Sequence, residues 1–113
     1  MTAEPSNQGA LDEIVALVTR TAAPDHRPIT RATELYYDLG LAGDDLYDVI
    51  TAIRARFGTD FSTMTLREYA PGEVEGLFSF DTLREVLGRP QRYHSLTIEL
   101  LVEAVQAGVW KAA

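Results

Sequence analysis

The chain contains no cysteine and only two histidines, His26 and His94, among its 113 residues. Without cysteine it can form no disulfide, no thiolate zinc site and no cysteine nucleophile. It also lacks a long apolar run, and its first residues have neither the basic nor the apolar part of a secretory signal. We therefore expect a cytoplasmic domain that spans no membrane, binds no metal and uses no cofactor.

Basic residues are also scarce, with 10 Lys and Arg against 17 Asp and Glu, which gives a formal net charge of -7. Such a surface repels nucleic acid and anionic lipid, so we expect a protein partner with a basic or mixed-charge patch. The hydrophobic fraction of 46% and the length are typical of one globular domain. We expect a flexible lead-in at residues 1–9 and a single helical domain at residues 10–113, and the sequence does not indicate an oligomeric state.

Three stretches have the apolar spacing of amphipathic helices. The first covers residues 10–22, the second runs from about residue 44 to residue 57 and ends at Gly58, and the third follows Thr97 and ends at Gly108. Thr97 is a favourable N-cap, and glycine is favoured just after the last helical residue. The predicted fold class is all-α.

The pattern between residues 59 and 94 is weaker. It predicts one helical turn before Pro71, a short helix that begins near Ser79 or Asp81, and a small irregular strand pair near Phe61. The expected architecture is therefore a bundle of three long helices and one or two short ones.

The segment that starts at Asp38, DLGLAGDDLYDVITAIRARFGTDF, resembles the motif region of acyl carrier proteins. An Asp-Leu-Gly loop is followed by a helix, and Phe57 lies at the matching distance. Thr97 and Ile98 are similar to the Thr-Val pair that opens the last carrier helix. The resemblance implies an acyl-carrier-like helical bundle, although the region from about residue 65 to residue 94 is longer than the third helix of ordinary carriers.

The reactive position differs from that of the carriers. The resemblance places a phosphopantetheine-bearing serine at the start of the second helix, and this chain has Gly43 there. Glycine has no side-chain oxygen, so it cannot form the phosphoester. The chain has no serine between Ser6 and Ser62, so a shift of register does not supply one. An atypical carrier would be modified elsewhere, at Ser62 or Ser79.

Several short segments together indicate a narrower family. They are DLG, GDD, RFG, the YAPGE segment at residues 69–73, and a last helix that closes with Gly108 and Trp110. In this combination the chain resembles the bacterial acyl-carrier-protein-like family called domain of unknown function 1493. That family has no established activity, so the resemblance implies a fold more than a function.

Five acidic residues and no basic ones lie between residues 32 and 53, and they form the candidate partner-binding surface: Glu34, Asp38, Asp44, Asp45 and Asp48. In carriers the matching helix is the face that basic patches on partner enzymes recognise. An equally weighted interpretation assigns Asp44 and Asp45 to helix capping and to the helix macrodipole. Arg54 and Arg56 make the second half of this helix basic.

The remaining candidate residues favour ordinary structural roles. A cluster of Tyr36, Tyr37 and Tyr47 is expected to pack at the core or its rim, with one or two exposed rings available to a partner. Trp110 is predicted to cover a helix pair. His94 has no nucleophile at a readable spacing, so we expect no enzyme activity.

Three functions are compatible with these patterns. The first is a non-catalytic, carrier-like adaptor that binds a protein through its acidic surface. The second is an immunity or inhibitor protein for a basic bacterial toxin, because an acidic surface accelerates the capture of a basic partner. The third is an atypical carrier modified at another serine.

Overall fold

A computed structural model describes residues 6–22, 28–71 and 93–111. In these ranges the chain forms three α-helices, one 3-10 turn and no sheet, which confirms the all-α class. The helices are α1 (Asn7–Thr21), α2 (Gly43–Phe57) and α3 (Ile98–Ala107), and the 3-10 turn is Leu66–Glu68.

Local capping sets most of the helix ends. The Thr97 side chain accepts a hydrogen bond from the backbone N–H of Leu100 at 3.2 Å, and Gly108 ends α3 with φ of +80°. Gly58 ends α2 in the same left-handed conformation, which glycine adopts without a steric cost. These three predictions are confirmed.

The start of α1 differs from the prediction. The Ser6 side chain accepts a hydrogen bond from the backbone N–H of Gly9 at 2.9 Å, and the helix begins at Asn7 rather than Ala10. A serine N-cap satisfies an amide that has no partner within the helix. The expected lead-in was therefore wrong for its last three residues, which are helical.

The core lies between the three helices, because α1 packs against both α2 and α3. Each helix contributes fully buried aliphatic side chains to one cluster, and the largest of them are Ile14, Val18, Leu46, Val49, Ile53, Ile98, Leu101 and Val102. At the rim, an ion pair of 2.6 Å between Arg56 and Glu13 joins α2 to α1. No helix of the described residues is long and apolar enough to cross a membrane.

Backbone hydrogen bonds join the loop before α2 to the start of α3. The backbone N–H of Leu35 donates to the carbonyl of Leu96 at 2.9 Å, and the N–H of Ile98 donates to the carbonyl of Thr33 at 3.0 Å. A single helical turn follows, in which the N–H of Asp38 donates to the carbonyl of Glu34. These bonds place the Asp-Leu-Gly loop directly before α2.

The loop after α2 is fastened to the end of α3. The backbone N–H of Asp60 donates to the carbonyl of Gly108 at 3.0 Å, and its carbonyl accepts from the N–H of Trp110 at 2.7 Å. The predicted strand pair near Phe61 is only an isolated bridge between Asp60 and Val109, and the described residues contain no strand. The predicted helix near Ser79 lies outside the described residues.

Trp110 is buried beside this bridge, with 3% of its surface exposed, and its ring contacts lie in the loop after α2 and after the 3-10 turn rather than on the predicted helix pair. Its ring lies 6.3 Å from the ring of Phe61 and 5.6 Å from that of Tyr69, the latter in an edge-to-face arrangement. The predicted helical turn before Pro71 is confirmed as the 3-10 turn, and it brings Tyr69 to this aromatic cluster.

Candidate functional site

The first residue of α2 has an unusual backbone. Gly43, which the sequence resemblance aligns with the carrier serine, has φ of +55°, and its N–H donates to the carbonyl of Pro71 at 3.1 Å. A side chain at this φ would be strained, because a Cβ atom clashes with the backbone in the left-handed region. Gly43 therefore lacks the reactive oxygen and also has a conformation that serine adopts only at a cost.

The acidic residues at the start of α2 do not cap the helix. The N-cap is Ala42, which makes no side-chain hydrogen bond, and Asp44 and Asp45 lie inside the first turn. The capping part of the structural interpretation was therefore wrong. A favourable interaction with the helix dipole still applies to both residues, because negative charge is stabilising near a helix N-terminus.

The five predicted site residues separate into two groups. Asp44, Asp45 and Asp48 are exposed on α2, and among the described residues no hydrogen bond or ion pair engages their carboxylates. The carboxylate of Asp38, in contrast, accepts a hydrogen bond from the backbone N–H of Glu34 at 2.8 Å. Glu34 is half-buried, and its backbone forms an isolated antiparallel bridge with Thr97, the residue before α3. Glu34 and Asp38 therefore stabilise the loop.

Tyr47 is the most exposed large apolar residue of the described chain, with 57% of its surface accessible. It lies one residue before Asp48 and three after Asp44, so the three side chains share one exposed side of α2. The predicted tyrosine cluster includes Tyr36 and Tyr37, with ring centroids 5.1 Å apart, and its third member is Tyr93. The structure gives no ring contact between Tyr47 and the other tyrosines.

A groove opens beside Tyr47, between the start of α2 and the 3-10 turn. It encloses about 320 Å³, and its walls are the residues Gly43, Asp44, Leu46, Tyr47, Leu66, Arg67, Ala70 and Pro71. A second cavity of about 230 Å³ continues along α2 and shares Tyr47 and Leu66 with the first. We call these two cavities together the α2 groove.

Positive charge borders the α2 groove at two points. Arg67 lines its first part and Arg54 its second, and both side chains are exposed. Arg56 is occupied, because it pairs with Glu13 and its guanidinium lies 5.0 Å from the centre of the Phe57 ring. The surface that α2 offers is therefore mixed, with three free carboxylates near its start and arginines along the groove.

The described residues that were considered as catalytic or modified groups, His94 and Ser62, are both exposed. His94 is exposed, and its backbone N–H donates to the carbonyl of Glu68 at 2.8 Å. Ser62 is exposed in the loop after α2, and its hydrogen bonds to Asp60 hold the pKa of that carboxyl below its usual value. Within residues 6–22, 28–71 and 93–111 no group of three potential metal ligands occurs. His26 and Ser79 lie outside the described residues.

The fold and this site define a small all-α domain with an open groove beside an acidic helix start. A family model described as "Protein of unknown function (DUF1493)" matches residues 11–112, and the chain belongs to this family. No curated protein and no solved structure matches the chain.

Proposed function

We propose that this protein is a non-catalytic, acyl-carrier-like interaction module that binds a protein partner through the start of α2. The observation that carries the proposal is the group of Tyr47, Asp44 and Asp48 at the edge of the α2 groove. An exposed tyrosine beside an apolar groove is a common anchor of protein interfaces. The free carboxylates add electrostatic attraction for a partner with basic residues.

The partner that fits this surface carries mixed charge. Basic side chains would face Asp44, Asp45 and Asp48, and an acidic or polar group would face Arg54 or Arg67. Opposite charges on the two surfaces increase the rate of encounter and fix the orientation of the partner. A purely basic patch would meet repulsion from the arginines of the groove.

Two features of Gly43 support a module that carries no phosphopantetheine at this position. The residue has no hydroxyl, and its φ of +55° disfavours any side chain there. Two aspartates in the first turn of this helix would also repel a phosphate at its start. The acyl-carrier relationship itself rests on the Asp-Leu-Gly loop and the helix that follows it.

An immunity or inhibitor protein is the second candidate. The net charge of -7 and the unpaired carboxylates of α2 favour rapid capture of a basic toxin. The two candidates use the same surface and differ in the identity of the partner. A single stoichiometric basic toxin would favour immunity, and a biosynthetic or regulatory enzyme would favour the adaptor.

Reversing the charges of Asp45 and Asp48 to lysine is expected to weaken partner capture from a lysate of the native host about tenfold or more, because attraction becomes repulsion. The free energy of unfolding should fall by at most about 1 kcal/mol, the size of a helix-dipole interaction. Affinity capture with quantitative mass spectrometry measures the first effect, and thermal unfolding measures the second.

The matched control reverses two other exposed acidic residues, Asp12 on α1 and Glu103 on α3. This variant has the same net charge as the first but an intact α2 surface, so it should capture the partner like the unmodified protein. Equal loss in both variants would show a non-specific charge effect, and no loss in either would contradict the proposed surface.

Co-expression with a broad-specificity phosphopantetheinyl transferase is expected to leave the intact mass of the protein unchanged, because Gly43 offers no attachment oxygen. An ordinary acyl carrier protein in the same cells serves as the positive control. A gain of the cofactor arm that disappears in a Ser62→Ala or Ser79→Ala variant would establish the atypical carrier and contradict the proposal.

A further inference from the structure

A third cavity, separate from the α2 groove, lies between the 3-10 turn and the two ends of α3. It encloses about 230 Å³, and its apolar walls are Tyr69, Leu100 and Trp110. The Trp110 backbone is fixed by two hydrogen bonds, one from its N–H to the carbonyl of Asp60 and one from the Thr63 hydroxyl to its carbonyl at 3.1 Å. Its ring packs against the rings of Phe61 and Tyr69. The cavity therefore has a rigid aromatic wall.

The indole N–H of Trp110 is buried, and among the described residues no acceptor lies within hydrogen-bond geometry of it. A buried donor without an acceptor is destabilising, and buried tryptophans usually find one. Of the three cavities described above, only this one is lined by Trp110. An acceptor atom of a ligand in this cavity would supply the missing partner.

Several polar groups around the cavity can donate a hydrogen bond. His94, Ser95 and Lys111 line it, and Lys111 is the only lysine in the chain. Burial raises the pKa of the Tyr69 hydroxyl and the charge of Glu68 raises it further, while the neighbouring Trp110 indole N–H, which does not reach hydrogen-bond geometry with it, lowers it. The hydroxyl consequently stays protonated and can donate. In a chain of net charge -7, this is a local concentration of groups that favour an anion.

We propose that this cavity binds a small molecule with an apolar body and a carboxylate group. The apolar body would lie against Leu100 and the rings of Tyr69 and Trp110, and the carboxylate would face the donors and Lys111. Glu68 also lines the cavity and opposes an anion, so its charge limits the affinity. The affinity expected for a ligand of about ten heavy atoms is in roughly the millimolar range.

The single tryptophan makes the test direct, because the protein has one indole N–H resonance in a ¹H–¹⁵N correlation spectrum. The probes are phenylacetate, phenylacetamide and phenethylamine, which share a ring and differ in charge. Phenylacetate is expected to shift the indole resonance in a saturable manner. Phenylacetamide should bind several-fold more weakly, and phenethylamine should produce no saturable shift.

Two variants that remove charges of opposite sign beside the cavity extend the test. Lys111→Gln should weaken phenylacetate binding about threefold or more, and Glu68→Gln should strengthen it by a similar factor, since each removes one exposed charge beside the carboxylate. Arg54→Gln, which removes a positive charge from the α2 groove, is the control and should leave the affinity unchanged. Equal binding of phenylacetate and phenylacetamide, equal effects of Lys111→Gln and Arg54→Gln, or no saturable shift with phenylacetate would each overturn the proposal.

Discussion

Replacing Trp110 by alanine is expected to lower the free energy of unfolding by about 3–5 kcal/mol, the range for removal of a large buried aromatic side chain. Trp110 is 3% exposed and packs against Phe61 and Tyr69. Its removal would leave a cavity where α3 meets the loop after α2. Urea unfolding followed by circular dichroism measures the change without depending on tryptophan fluorescence.

Two further variants serve as controls for this prediction. Tyr47→Ala removes an aromatic ring that is 57% exposed and should change the free energy of unfolding by no more than about 0.5 kcal/mol. Trp110→Phe keeps an apolar ring and removes the unpaired indole N–H, so it should cost clearly less than alanine. If Trp110→Ala were as mild as Tyr47→Ala, the aromatic cluster would not be part of the stable core.

A second large loss of stability is expected when Leu101, which is fully buried in α3, is replaced. Replacing Leu101 by alanine should lower the free energy of unfolding by about 2–5 kcal/mol, because it removes apolar contacts and leaves a cavity in the core. The same urea titration measures this change. The slope of the transition should stay the same, since both proteins expose a similar surface on unfolding.

Glu103 provides the matched control on the same helix, because it lies two residues further along and is exposed. Glu103→Ala should change stability by no more than about 0.5 kcal/mol. A similar small loss at Leu101 would mean that α3 is not packed as the structure describes.

Local sequence patterns were sufficient to predict the three helices. The apolar spacing of α2 and α3 identifies their buried faces, and Gly58 and Gly108 mark their ends because glycine adopts a left-handed φ readily. The start of α1 was misplaced because the capping bond from Gly9 to Ser6 was not recognised. These features depend on residues within one or two helical turns, which a sequence displays directly.

Contacts between distant residues were not predictable in the same way. The bridge from Asp60 to Val109 and the packing of Trp110 on Tyr69 join segments more than forty residues apart, and no local pattern indicates such a pairing. A strand-like Phe61 therefore suggested a strand pair where the structure has only the bridge. The cavity that Trp110 lines was missed for the same reason.

The sequence predicted the exposure of some of the candidate site residues, and their role in binding stays a prediction. The acidic residues of α2 are exposed, as a partner-binding surface requires, but Glu34 and Asp38 belong to the structure of the loop. Tyr47 was grouped with Tyr36 and Tyr37 because of its position in the sequence, and its helical position directs it away from them. A helical projection of residues 43–57 places Tyr47 to one side of the buried stripe, roughly 110° from its centre, and would have indicated that it can be exposed.

The pairing of residues 108–110 with the loop around residue 60 has a consequence for biosynthesis. α1 leaves the ribosome first, but its apolar face needs α3, and the loop after α2 needs the backbone of Gly108 and Trp110. A nascent chain that ends before Trp110 lacks these contacts, so it cannot complete the core while it is being synthesised. The nascent chain should therefore remain open to proteases and chaperones until Trp110 has emerged.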